Sequence, residues 1–164
     1  MNQRRSLRVQ GDVPLPSQRY YDFSTRNSTF IFERAINNPG ALIGFACYVT
    51  LGVEGRTKKI KVGHFIGLQY IPDMNVLIWW ESNSGVPRKE YGDYFKFYKS
   101  LRSQALRRGI EFVMSADYFP AQHARFVDLA QNRYMCGRAG GGYCAGYIEA
   151  MINNGFTLLH DQYN

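Results

Sequence analysis

The stretch KIKVGHFIGLQYI-PDMN-VLIWW, residues 59–80, reads as strand, turn, strand, and Glu81-Ser82 follows it directly. Its two ends are apolar and β-branched. Pro72-Asp73-Met74-Asn75 between them is turn chemistry: proline presets φ, and Asp and Asn hydrogen-bond their own backbone. Upstream, Pro39-Gly40 ends a short helical stretch, Thr29–Asn37, and opens Ala41–Val53 (ALIGFACYVTLGV), which reads as a buried strand. Glu54-Gly55-Arg56 turns that strand back onto Lys59–Ile71. Three neighbouring strands of one antiparallel sheet are expected.

Downstream the period changes. Tyr91–Arg108 (YGDYFKFYKSLRSQALRR) suits an amphipathic helix with Tyr94, Phe97, Tyr98, Leu101 and Leu106 inward, stopped by Gly109. Ile110–Met114 is a fourth strand. A short helix is expected around His123–Gln131. The glycine-rich run from Cys136 to Cys144 follows, then a helix over Tyr143–Asn153. The fold class is α+β: a small, mostly antiparallel sheet flanked by helices. Residues 1–28 are polar, with Pro14, Pro16, Arg4, Arg5 and Arg8, and read as a basic, flexible arm; residues 29–164 form a single domain.

The net charge of +7 favours polyanionic partners, although a solvated basic surface gives the same number. No zinc-finger spacing or RNA-recognition-motif signature accompanies it. Three cysteines, Cys47, Cys136 and Cys144, are too few and too odd for a disulfide framework and point to a reducing compartment. No apolar run is long enough for a membrane span, and the N-terminus lacks the apolar core of a signal peptide.

Cys144 follows Gly140-Gly141-Gly142-Tyr143 and opens a predicted helix. The positive end of a helix dipole lowers a thiol pKa, and glycines let a substrate approach the backbone. A buried structural cysteine behind a flexible turn gives the same local pattern. A thiolate nucleophile needs an imidazole, and the imidazole needs an orienting group. His64 sits in a strand, which holds a general base more rigidly than the tail around His160 or the polar stretch around His123. The hairpin returns Glu81 beside His64, so its carboxylate can reach the imidazole Nδ1–H. Taken singly, His64 could be a satisfied core histidine and Glu81 a surface carboxylate.

His64-Phe65 leading into an apolar strand, the Pro-Asp-Met-Asn turn, VLIWWES, and the later GGGYCAGYIEAM together resemble the adenovirus-type and SUMO-deconjugating cysteine proteases (clan CE). The resemblance covers roughly residues 41–155, and the order His, acid, Cys is that clan's order. It implies His64 as base, Glu81 as orienter and Cys144 as nucleophile. A Glu acid and a short chain lean toward the DNA-virus maturation enzymes. Phe65 stands where that family usually shows Trp. The family's oxyanion Gln is missing a few residues before the nucleophile, where Gly137 and Arg138 stand; the nearest upstream candidate is Gln131. Cys136-Gly137 echoes the same Gln … Cys-Gly motif but makes a poor helix start. Cys47 reads as core.

The resemblance implies acyl transfer to water at a peptide bond, with small residues before the scissile bond. Aromatics such as Trp79 or Trp80 would wall a narrow cleft, although the same tryptophans read equally as core. It implies a protein substrate such as a capsid precursor, no cofactor, no metal, no membrane and a monomer, in a virion or the host cytoplasm or nucleus if viral. Nonspecific nucleic acid, DNA included, is a possible partner. Alternatives are an isopeptidase on ubiquitin-like tails, an acetyltransferase with the same triad, and a non-catalytic nucleic-acid-binding virion protein.

Overall fold

The computed structural model describes residues 20–23, 27–52, 55, 57–83, 85–131, 147–148 and 151. Among the described residues, five strands form one sheet in sequence order: β1 (Tyr20–Phe23), β2 (Leu42–Gly52), β3 (Lys59–Ile71), β4 (Val76–Trp80) and β5 (Glu111–Met114). The β2–β3 and β3–β4 pairs are antiparallel, as expected. The outer pairs, β1–β2 and β4–β5, are parallel. The sheet is therefore mixed: its two inner, longer pairs are antiparallel and its outer pairs parallel. A helix crosses between β4 and β5, and such a crossover delivers a parallel neighbour. The expected arm over 1–28 also gives up Tyr20–Phe23 to the sheet.

The helices are α1 (Ser28–Asn37), α2 (Asp93–Arg107), α3 (Ser115–Tyr118) and α4 (Pro120–Leu129), with a 3₁₀ turn at Lys89–Tyr91. Asn27 caps α1 by accepting the Phe30 N–H at 2.8 Å. The single long helix expected over 91–108 is broken at Gly92, whose φ of +67° suits glycine. The Pro72–Asn75 turn closes with Asn75 at φ +51° and its N–H bonded to the Pro72 carbonyl.

The sheet is covered on both faces, which is why every β4 residue is buried. On the first face Ile43, Phe45, Cys47, Val49, Ile66, Leu68, Leu77 and Trp79 meet α1 and α2. On the second face Leu42, Ile71, Ile78 and Trp80 meet Tyr118, Phe119 and Phe126, together with Tyr147, Ile148 and Met151. The α2 stripe is Tyr94, Leu101 and Ala105. Leu106, expected inward, is 52 % exposed. It lies about 100° around the helix from Ala105, off that stripe.

Gly67 sets how closely the last segment approaches the sheet. A Cβ there would lie 2.8 Å from Leu42 Cδ1 and 3.2 Å from both Ile148 Cδ1 and Trp80 Cβ. The absence of a side chain lets Ile148 rest on β3 itself.

Candidate functional site

Register places the site. Gly67 pairs with Trp80 in the last rung between β3 and β4. One further antiparallel step sets Glu81 level with Ile66, about 6.7 Å along β3 from His64. The imidazole bridges that gap with its far nitrogen. His64 Nε2 lies 2.6 Å from Glu81 Oε1 and 2.7 Å from Oε2. The expected Nδ1 contact is thus corrected to Nε2. A strand histidine reaching past the end of its neighbour presents its outer nitrogen first. Nε2 then carries the proton toward the carboxylate, and Nδ1 becomes the basic nitrogen of the neutral ring.

Both groups are inside the protein, His64 at 8 % exposure and Glu81 at 1 %. A buried carboxylate is tolerable only when its lone pairs are used. Besides His64, the Tyr94 hydroxyl donates to Glu81 Oε1 at 2.9 Å and Asn83 Nδ2 at 3.3 Å. The Tyr94 ring also stands edge-on to His64, 4.8 Å between centroids. Burial, then the Glu81 charge and hydrogen bond, push the Tyr94 hydroxyl far above its usual range, so it stays a donor. The role of Tyr94 was not legible in sequence; there it read as one more apolar helix position.

The backbone of Glu81 faces the other way. Because β4 and β5 run parallel, both end at the same edge, and Ser115 emerges beside Glu81. The Glu81 N–H donates to Ser115 Oγ at 3.4 Å. Ser115 Oγ is 3.2 Å from both His123 Nδ1 and Tyr147 Oη, and those two are 2.8 Å apart. All three side chains are buried. His123, read as part of a polar stretch, is in fact one of the inward residues of α4. Burial lowers its pKa, against the pull of the Asp117 charge.

A cleft of about 440 Å³ opens beside this edge, lined in part by Ser82, Asn83, His123 and Gln131. Gln131 therefore shares a cleft with the residues that follow Glu81. A second cavity of about 440 Å³ lies on the first face and is lined in part by Cys47, Gly63, Asp93 and Phe97. Cys47 is the cross-strand partner of His64 and is 7 % exposed.

Cys144 and Cys136 lie outside the described residues, as does most of the helix expected over 143–153. Within that span Tyr147 and Ile148 are helical. Trp79 and Trp80, which read as either cleft walls or core, are both 0 % exposed. Their strand is flanked by β3 and β5 and covered on both faces, so they are core.

No family model, curated protein or solved structure matches the chain. Among the described residues no group of His, Cys, Asp and Glu is arranged to hold a metal ion. No helix among them is long and apolar enough to cross a membrane.

Proposed function

We propose that the protein is a cysteine peptidase in which Glu81 orients His64, and His64 serves Cys144. The observation that carries this is the buried contact of His64 Nε2 with both Glu81 oxygens. It supports reading these two residues as the acid and base of a Cys–His–acid set, with Nδ1 as the base. A supporting observation concerns Tyr147. Its hydroxyl lies 3.2 Å from the serine that receives the Glu81 N–H. Cys144 is three residues earlier in the chain.

The reaction follows from these roles. His64 Nδ1 removes the Cys144 proton, and the thiolate attacks a peptide carbonyl. The tetrahedral oxyanion is held by the Cys144 amide and by Gln131 from its cleft. Collapse breaks the C–N bond, and the amine leaves with the proton from His64. Water, deprotonated by His64, then hydrolyses the thioester to a carboxylic acid and restores the thiol. The resemblance to clan CE favours a protein substrate cut after small residues, in virion maturation. The basic charge lets nucleic acid concentrate the enzyme on packed substrates.

The test is alkylation by an iodoacetamide probe near neutral pH, with each labelled cysteine located by peptide mass spectrometry. Fast labelling at Cys144 that slows in His64→Ala supports the reading. Fast labelling at Cys47, the cross-strand partner of His64, moves the nucleophile to the strand. No fast cysteine at all removes the catalytic reading.

A further inference from the structure

On one side β3 outruns its neighbour. Its pairing with β4 stops at Gly67, and Ser82 and Asn83 form a bend soon after. Its pairing with β2 continues as far as the Gly52–Lys59 rung. Among the described residues, Lys59–Gly63 therefore has β2 along one side and no strand along the other. Every residue from Lys59 to Gly63 is exposed. A Cβ at Gly63 would meet nothing within 4 Å, so the strand is bare immediately before His64. Backbone N–H and C=O groups along such an edge are a template for one more strand.

Strand alternation gives this edge two chemically distinct flanks. Lys59 and Lys61 stand on one face. Ile60, 45 % exposed, and Val62, 38 % exposed, stand on the other. A strand laid along the edge meets these side chains as cross-strand neighbours, where opposite charges and apolar pairs are the favoured ones. The complement is an extended peptide whose acidic and apolar residues alternate. A second copy of the same edge would set lysine beside lysine. The chain's own N-terminal segment, with Arg4, Arg5 and Arg8, carries the same charge as the lysines. A nucleic acid would engage the lysines and leave the edge backbone, Ile60 and Val62 unused.

The edge also leads to the site. Gly63 directly precedes His64, so a peptide paired along Lys59–Gly63 ends about one strand step, ~3.4 Å, from the level of the imidazole. We propose that the free edge of β3 docks the protein substrate as an added strand, in the line that β4 leaves at Gly67, and selects extended segments whose acidic and apolar side chains alternate. This rests on the peptidase reading. Main-chain hydrogen bonds to the edge supply affinity, and the lysine and Ile60–Val62 flanks supply selectivity.

The experiment is fluorescence-anisotropy binding of a labelled peptide of alternating Glu and Val to the full chain. Two versions of the peptide carry N-methyl groups, one on its Glu residues and one on its Val residues. Alternate residues of a strand turn their N–H groups to opposite edges, so the two versions lose different bonds. They should differ in affinity by about tenfold, the scale of the hydrogen bonds removed. Lys59→Glu together with Lys61→Glu should weaken the parent peptide about tenfold, and a peptide of alternating Lys and Val should recover the loss. Methylated versions that bind alike overturn the docking edge. So does a peptide that a single-stranded oligonucleotide displaces and that is indifferent to methylation; the lysines then serve a polyanion. In cleavage of peptides with this pattern, the double lysine variant should raise KM rather than lower kcat, and an unchanged KM overturns the substrate role. A chain that binds the peptides as expected yet cuts none removes the peptidase reading and leaves the docking edge standing.

Discussion

Tyr94, on the first turn of α2, donates its hydroxyl to Glu81 Oε1 at 2.9 Å, across 13 positions of sequence. The same ring meets His64 edge-on. One side chain thus fixes the acid by a hydrogen bond and the base by a ring contact. Tyr94→Phe keeps the ring contact and removes the donor. A hydrogen bond to a carboxylate is worth about 1.5–3 kcal/mol. Denaturant unfolding of Tyr94→Phe should show a loss of that size, with Cys144 alkylation reduced but still detectable.

Glu81 should be far more sensitive than a strand-end carboxylate. Removing the acceptor leaves the buried His64 N–H and Tyr94 hydroxyl unsatisfied, at about 1–3 kcal/mol for each group. Glu81→Ala should lose that much in urea unfolding. Glu81→Gln, which keeps the shape, should fold better yet lose peptidase activity by a factor of about 10³–10⁴, as expected when an orienting acid becomes an amide. A Glu81→Ala chain as stable as wild type would place the pair outside the core.

Gly67 predicts a packing effect that reaches the far segment. In Gly67→Ala the new methyl meets Leu42, Ile148 and the stiff Trp80 Cβ. Overpacking of this kind costs about 1–3 kcal/mol. The melting temperature should fall, and hydrogen exchange at Ile148 should rise more than exchange in α1, which lies on the other face.

His123 gives stability a pH dependence whose sign follows from its burial. Its folded pKa is lowered, mainly by burial, while Asp117 opposes the shift. The unfolded chain therefore binds the proton first as pH falls. The contribution is fully present above the ordinary histidine range near 6.5 and is lost as pH drops toward the lower folded value. Urea unfolding at pH 7.5 and pH 5 should show a smaller difference for His123→Asn than for wild type.

These residues also show what a sequence can disclose. β3 and β4 have the expected bounds because a proline-led turn and two β-branched runs are local signals. The meeting of His64 with Glu81 followed from the same hairpin. Which imidazole nitrogen meets the acid did not, because it depends on the rung at which β4 stops. The parallel pairing of β5 comes from a helical crossover, and a strand's direction leaves no trace in its composition. Tyr94 and His123 were missed for a common reason. Each makes its polar contact at the end of a largely buried side chain, and periodicity registers burial without registering what the polar tip touches. Trp79 and Trp80 stood open between a cleft wall and the core; two covered faces put them in the core.

The most direct test is cleavage of a complex peptide library by the full chain, read by mass spectrometry, comparing wild type with His64→Ala, Cys144→Ala, Cys136→Ser and Cys47→Ser. The account predicts new peptide ends after small residues. These should disappear in His64→Ala and Cys144→Ala and persist in Cys136→Ser and Cys47→Ser. Cleavage that survives Cys144→Ala, or a wild-type chain that cuts nothing while fully folded, would contradict it.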